Sequence, residues 1–321
     1  EIRTLQKVIE LNLPFESVEE ALYAQVVEKC GDRLYWETWA KEVGGVAKDI
    51  IQRIKTLIFK EGKFRTEFNE FVRSLKSNLN PSVDDEQAVE MLAQHMITRP
   101  VFDALFADYE FVKHNVVSES MQLIVDLLTV EGLTKDLHVL EKFYESVKTN
   151  VSRIDNLEGK QTVIKNLYEK FFKGAFPKTV DKLGIVYTPV ECVDFILHSV
   201  EAILKKEFNM SLTDEGVHIL DPFTGTGTFI TRLLQSGLIK KEDLERKYRE
   251  EIHCNEIVLL AYYIADVNIE SVFHDLTNRK EYLPYEGICL TDTFQLNEEG
   301  DNDIFSNLLK ENNERVEKQK K

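Results

Sequence analysis

Cysteine is scarce in this chain. Its four residues, Cys30, Cys192, Cys254 and Cys289, are scattered and form no C-x-x-C or other metal-ligand spacing. That excludes a disulfide framework as the organising principle; each thiol reads as a small buried hydrophobe in a reducing cytoplasm. The seven histidines form no H-x-x-x-H or H-E-x-x-H pattern, so no protein-bound metal is expected. No apolar run approaches the ~18 residues of a membrane span, and no secretory leader is visible. Positive charge is also short, with 40 Lys and Arg against 56 Asp and Glu and a net charge of −16. Basic residues occur only in mixed-sign runs such as Lys240-Lys241 followed by Glu242-Asp243, whereas a face that grips nucleic-acid phosphates needs clustered cations. What remains is ordinary globular composition, 43% hydrophobic and 30% charged, in 321 residues, enough for two domains. The chain opens on Glu1 without an initiator Met and closes on Lys318-Gln319-Lys320-Lys321, so both ends are expected to be cut.

Residues 1–180 read as an α-helical N-terminal domain. Thr4–Leu11 and Ser17–Lys29 are predicted helices, the second with capping-box spacing at Ser17-Val18-Glu19-Glu20. Trp36, Trp39, Val43, Val46, Ala47, Ile50, Ile54, Leu57 and Ile58 then repeat with a helical period, and Phe64, Phe68, Phe71, Val72 and Leu75 continue it. Asn80-Pro81-Ser82 breaks the pattern. Asp84 caps a further helix, which Arg99-Pro100 is expected to stop. Met121–Val130, Asp136–Val151 and Val163–Phe172 are amphipathic in turn. The two tryptophans read as core or docking residues, and His95 and His138 as ordinary helix residues.

Residues 181–296 change character. The organising stretch is Val217-His218-Ile219-Leu220-Asp221-Pro222-Phe223-Thr224-Gly225-Thr226-Gly227-Thr228-Phe229-Ile230. A short apolar strand ends at Asp221-Pro222, because proline cannot donate to a sheet ladder. Gly225 and Gly227 follow where a side chain would block approach of a ligand to the backbone. A helix then carries Ile230, Leu233 and Leu234 on one face, with Gly237 as its stop. This is a nucleotide-binding layout of doubly wound α/β domains. Ile230 replaces the third glycine of G-x-G-x-x-G and no Walker lysine follows, which argues against a dinucleotide or nucleoside triphosphate. The acid at the loop entrance suits a cationic ligand such as S-adenosylmethionine.

Ahead of that loop, Thr188 is expected to cap a helix, with Pro189 at its first position and Glu191 completing a capping box. After it, residues 240–251 read as a solvated charged segment. Glu251–Ile257 is a second strand ending on Glu256, an acid placed to accept ribose hydroxyls. Val258–Glu270 is an apolar helix, and Gly287–Phe294 a third short strand ending near Asp292. Parallel pairing would bring Asp221, Glu256 and Asp292 to one sheet edge. Residues 297–321 read as a charged linker with one short helix.

Leu183-Gly184-Ile185-Val186-Tyr187-Thr188-Pro189, Asp221 through Phe229, Asn255-Glu256-Ile257 and Thr291-Asp292-Thr293-Phe294 together resemble the gamma-class N6-adenine DNA methyltransferases. The preceding helical region, including Gly31-Asp32-Arg33-Leu34-Tyr35-Trp36, resembles the coupler of type ISP single-chain restriction-modification enzymes. The resemblance implies a partial Rossmann-like, S-adenosylmethionine-dependent methyltransferase domain after a helical coupler. Tyr187, Thr188 and Pro189 match the motif bordering the methionine end of the cofactor. Asp221, Pro222, Phe223, Gly225 and Gly227 match the cofactor loop, with Phe229 nearby. Glu256 matches the ribose acid and Ile257 the apolar contact to adenine. Asp292 matches the acceptor of the exocyclic amine, with Thr293 and Phe294 beside it.

The family's catalytic tetrapeptide, Asn or Asp followed by Pro-Pro and an aromatic, is absent. Asn80-Pro81-Ser82 lacks its second proline and aromatic and precedes the cofactor motifs. The resemblance therefore implies no catalytic residue in this chain, no turnover by the chain alone, and DNA gripped by nuclease, helicase and target-recognition parts of the same parent polypeptide. Two other readings stay open: a fragment of the modification subunit of a type I system, and a non-catalytic helical interaction module.

Overall fold

The computed structural model describes residues 33–59, 62–105, 115–130, 176, 188–279, 281–294 and 309–319. Expectations at Thr4–Leu11, Ser17–Lys29, Asp136–Val151, Val163–Phe172, His138 and Tyr187 lie outside these, as do the side chains of Trp36 and Trp39.

The helical region begins with α1 (Arg33–Ile58), α2 (Lys63–Asn78), α3 (Asp85–Leu105) and α4 (Val116–Val130). The helical period puts Ala47, Ile50, Ile54 and Leu57 of α1 inside, against Phe64, Phe68, Phe71 and Leu75 of α2 and Ala88, Leu92 and Met96 of α3. Asp84 does cap α3: its Oδ1 accepts the Gln87 N–H at 2.8 Å, and Gln87 Oε1 accepts the Asp84 N–H at 3.1 Å. Asn115 caps α4, its Oδ1 accepting the Ser118 N–H at 2.8 Å.

Pro100 does not stop α3, contrary to expectation; the helix runs on to Leu105. An interior proline costs ~3 kcal/mol locally. Burial of Ile97 and Phe102 on either side of it offsets that cost, at ~1.5–3 kcal/mol for each fully buried side chain.

The α/β region follows as α5 (Val190–Ile203), β1 (Ile219–Asp221), α6 (Thr228–Gln235), the single turn α7 (Leu244–Arg246), β2 (Ile252–Glu256), α8 (Leu259–Thr277), β3 (Ile288–Leu290) and α9 (Lys310–Gln319). The strands form one parallel sheet in the order β1-β2-β3, with Asp221 beside Cys254 and Glu256 beside Leu290. Such order requires each strand to be followed by a crossover, as β1–α6 and β2–α8 supply.

α8 is the element on which both regions meet. It is apolar on nearly every side, and from Leu259 to His274 only Asn268 is not buried. A helix of that pattern needs partners all round. It packs on β2, β3 and α6 with one side and on α3 with another. A single hydrophobic cluster consequently runs from Ala47 in α1 to Leu309 before α9. Polar ties reinforce it: His95 Nδ1 lies 3.0 Å from the Tyr263 hydroxyl, and Asn115 donates to Asp266 at 2.6 Å and to the Tyr262 hydroxyl at 3.2 Å.

Three local expectations need correction. Thr188 is not the cap of α5; Pro189 takes that position with no side-chain hydrogen bond, since Pro189 is extended and the helix starts one residue later. The 240–251 segment is not simply solvated: Lys247 is fully buried, donating to the Asp214 and Val217 carbonyls at 2.6 and 2.7 Å and pairing with buried Glu251. Those bonds, with Glu251 accepting the Gly216 N–H at 2.7 Å, fasten the chain entering β1. The one short helix expected in the closing charged segment is present at residues 310–319, but it is docked on the sheet rather than part of a linker. Buried Asn312 of α9 accepts the Leu290 N–H at 2.8 Å and donates to the Leu290 carbonyl at 3.0 Å, covering the open edge of β3 as a peptide would.

Candidate cofactor site at the sheet edge

The parallel register delivers three carboxylates to the carboxyl edge of the sheet, where ligands of open α/β sheets sit. Asp221 ends β1, Glu256 ends β2, and Asp292 lies just beyond β3. The loops around them are tied together. Glu256 accepts the Gly225 N–H and the Val258 N–H, each at 2.7 Å. Thr224 N–H donates to the Asn255 carbonyl at 3.0 Å, and Thr293 Oγ1 donates to the Pro222 carbonyl at 2.7 Å. The exposed rings of Phe223 and Phe294 meet with centroids 5.3 Å apart.

The two glycines do different work. Gly225 has φ +58°, and a Cβ there would meet nothing within 4 Å among the described residues, so the loop is open to them where it turns. Gly227 has φ +81°, and a Cβ there would sit 3.2 Å from the Ala265 Cα, so its absence lets α6 approach α8. Asn268 of α8 donates to the Thr226 carbonyl at 3.0 Å and fastens the same turn.

Electrostatically the edge is acidic and partly desolvated. Burial raises the Glu256 pKa to about 7, against the backbone N–H groups that favour its charged form, and the Asp221 charge pushes the same way as burial. Burial also raises Asp221 above the ordinary carboxylate range, and its Oδ2 is buried with no hydrogen-bond partner among the described residues. An orphaned buried carboxylate oxygen is costly, ~1–3 kcal/mol or more for a charged group. A cationic or donor group brought to it would recover that cost.

Asp292 is supported from the helical region, a contact that sequence reasoning missed. Asn80, between α2 and α3, donates to Asp292 Oδ2 at 2.5 Å, while Oδ1 accepts the Phe294 N–H at 2.9 Å. The only signal was the Asn80-Pro81-Ser82 break, and nothing local pairs it with a residue 212 positions away.

Of the expected site residues, Asp221, Pro222, Phe223, Gly225, Gly227, Glu256, Asp292, Thr293 and Phe294 come together at this edge. Ile257 and Phe229 are half-buried and pack against the core beside it. Thr188 and Pro189 are exposed at the start of α5, and Tyr187 lies outside the described residues. The set fits a nucleoside ligand with hydrogen-bond donors and a positive group. Glu256 and Asp292 could accept from hydroxyl and amine groups, and Asp221 could face the cation.

Among solved structures the chain resembles a nuclease-deletion mutant of the type ISP restriction-modification enzyme LlaGI in complex with a DNA substrate mimic, at 46% identity and TM-score 0.79 over 95% of this chain. It resembles the ATP-dependent type ISP enzyme LlaBIII bound to DNA at 47% identity and TM-score 0.80 over 96%, and the chain of a DrdV–DNA complex at 33% identity and TM-score 0.76 over 89%. This chain spans 25%, 21% and 28% of the length of those proteins, respectively. No curated protein sequence matches it. No described helix is long and apolar enough to cross a membrane. Residues 35–159 match the coupler domain of type ISP restriction-modification enzymes.

Proposed function

We propose that this chain is the helical coupler and cofactor-binding half of a type ISP restriction-modification enzyme, cytoplasmic in location, that methylates adenine N6 in DNA with S-adenosylmethionine. One observation carries the reading: Asp221, Glu256 and Asp292 share an edge with the Gly225 turn, and among the described residues Asp221 Oδ2 has no hydrogen-bond partner. In this reading Glu256 holds the ribose hydroxyls, Asp292 accepts the exocyclic amine, Ile257 packs on the adenine, and Asp221 faces the positively charged end. The cofactor, when bound, supplies an electrophilic methyl group on its sulfonium; this chain's residues bind and orient it. The net charge of −16 supports DNA being gripped by other parts of the parent polypeptide.

The coupler match over residues 35–159 favours the single-chain form over a type I modification subunit. The test is calorimetric titration of the full parent protein with S-adenosylmethionine and sinefungin, followed by methyl transfer to DNA adenines. Binding that Asp292→Ala abolishes is the expected result. Absence of both binding and transfer in the full protein overturns the reading.

A further inference from the structure

We propose that Asn80 of the helical region is a positioning residue for Asp292, so that the adenine end of the cofactor site is built jointly by both regions of the chain. The inference rests on the cofactor reading above and deepens it.

The amide of Asn80 has one available orientation. Its Oδ1 accepts the Ser82 N–H at 2.7 Å and the Ser82 hydroxyl at 2.6 Å, which turns the Nδ2 donors away from Ser82 and toward Asp292. The side chain is buried, so water does not replace this bond readily. Among the described residues, Asp292 therefore has each oxygen engaged once, Oδ2 by Asn80 and Oδ1 by the Phe294 N–H. A carboxylate oxygen has two acceptor directions, so one on each stays open. With both oxygens held, the rotation of the carboxyl group is set before any ligand arrives.

The contact is also part of a wider junction. Asn78, at the end of α2, accepts from Asn313 of α9 at 2.6 Å, and Asn312 beside it holds Leu290 at the end of β3. The α2 end, α9 and the β3 tip thus meet around Asp292. Moving α2 relative to the sheet would turn the carboxyl group, and a ligand held by that group would in turn resist the movement.

The experiment uses the full parent protein and two ligands differing only at the exocyclic amine: S-adenosylhomocysteine and its 6-deamino counterpart, in which purine replaces adenine and hydrogen stands in place of the amine. The ratio of their affinities reads the Asp292 contact, and loss of overall fold would lower both alike. Asn80→Ala is expected to reduce that ratio about tenfold, a change of about 1.4 kcal/mol, with thermal unfolding checked alongside. Ser82→Ala, which leaves Asn80 in place but frees one of its anchors, is expected to reduce it in the same direction by less. An unchanged ratio in both variants, with Asp292→Ala collapsing it, overturns the positioning role and leaves the cofactor reading standing. A wild-type protein that binds neither ligand overturns both.

Discussion

The carboxylate of Glu256 at the tip of β2 accepts the backbone N–H of Gly225 at 2.7 Å, so the acid that ends one strand shapes the loop that follows another. Its second oxygen accepts the Val258 N–H, at the start of α8. Replacing this carboxylate by an amide forces an NH2 group against one of two backbone donors. Glu256→Gln is expected to destabilise the fold by ~1–3 kcal/mol, read by chemical denaturation of the full chain.

The same acid predicts a pH dependence. Its folded pKa is raised from 4.5 to about 7, so the folded protein keeps a proton that the unfolded chain has released. Stability from this group falls as pH rises from about 4.5 to about 7. Adenosyl-ligand binding is expected to change the opposite way, tightening as pH rises through about 7, because the ionised form is the better acceptor of hydroxyl protons. Calorimetry in buffers of different ionisation enthalpy should show proton release on binding near that pH. No proton release and a flat affinity profile would contradict the assigned role of Glu256.

Gly225 and Gly227 should separate binding from folding. Both are left-handed, so alanine costs ~1–2 kcal/mol at either. Gly227→Ala adds a close contact with Ala265 and is expected to be the more destabilising of the two. Gly225→Ala meets no atom of the described residues within 4 Å, and its methyl group enters the open side of the turn. It is expected to weaken adenosyl-ligand binding at least tenfold while the thermal transition moves only a few degrees. Equal loss of binding in both variants at equal stability would remove the distinction.

His95 ties α3 to α8. Gln122 Nε2 donates to Asp126, which leaves Gln122 Oε1 to accept from His95 Nε2 at 3.2 Å and His95 Nδ1 to accept from the Tyr263 hydroxyl. Burial, followed by the nearby Arg99 charge, lowers its pKa from 6.5 to about 3. The unfolded chain therefore gains a proton below about 6.5 that the folded chain refuses, and stability is lost as pH falls from there toward about 3. His95→Gln is expected to flatten the acid limb of a stability–pH curve measured by denaturant unfolding, at some cost in stability near neutral pH.

Asn312 is expected to be the most sensitive polar residue of α9. Asn312→Ala leaves both the Leu290 N–H and its carbonyl unpaired in a buried setting, a loss of about 2–4 kcal/mol. Asn313→Ala removes only the half-buried bond to Asn78 and should cost ~1 kcal/mol. Comparable effects from the two would show that the β3 edge does not depend on the Asn312 clamp.

Much of the arrangement was legible locally. The helical period of α1 and α2, the Asp84 cap and the strand-loop-helix pattern around Asp221 each depend on neighbours a few residues apart, and each appears as read; the Gln87 half of that cap was not anticipated. The readings that failed depended on distant partners. Pro100 stays helical because residues on both sides are packed into a core, and Lys247 is buried because carbonyls 30 and 33 positions away receive it.

The sequence by itself determined most of the described elements, the acids at or just beyond the strand ends and the glycines of the loop after β1, since these follow from side-chain period and backbone sterics. Only the tertiary structure decided that Asn80 meets Asp292, that Asn312 closes the β3 edge and that α8 serves both regions at once. Those pairings are set by burying one apolar helix on all sides, a constraint that brings together residues more than 200 positions apart and leaves no mark in the local pattern.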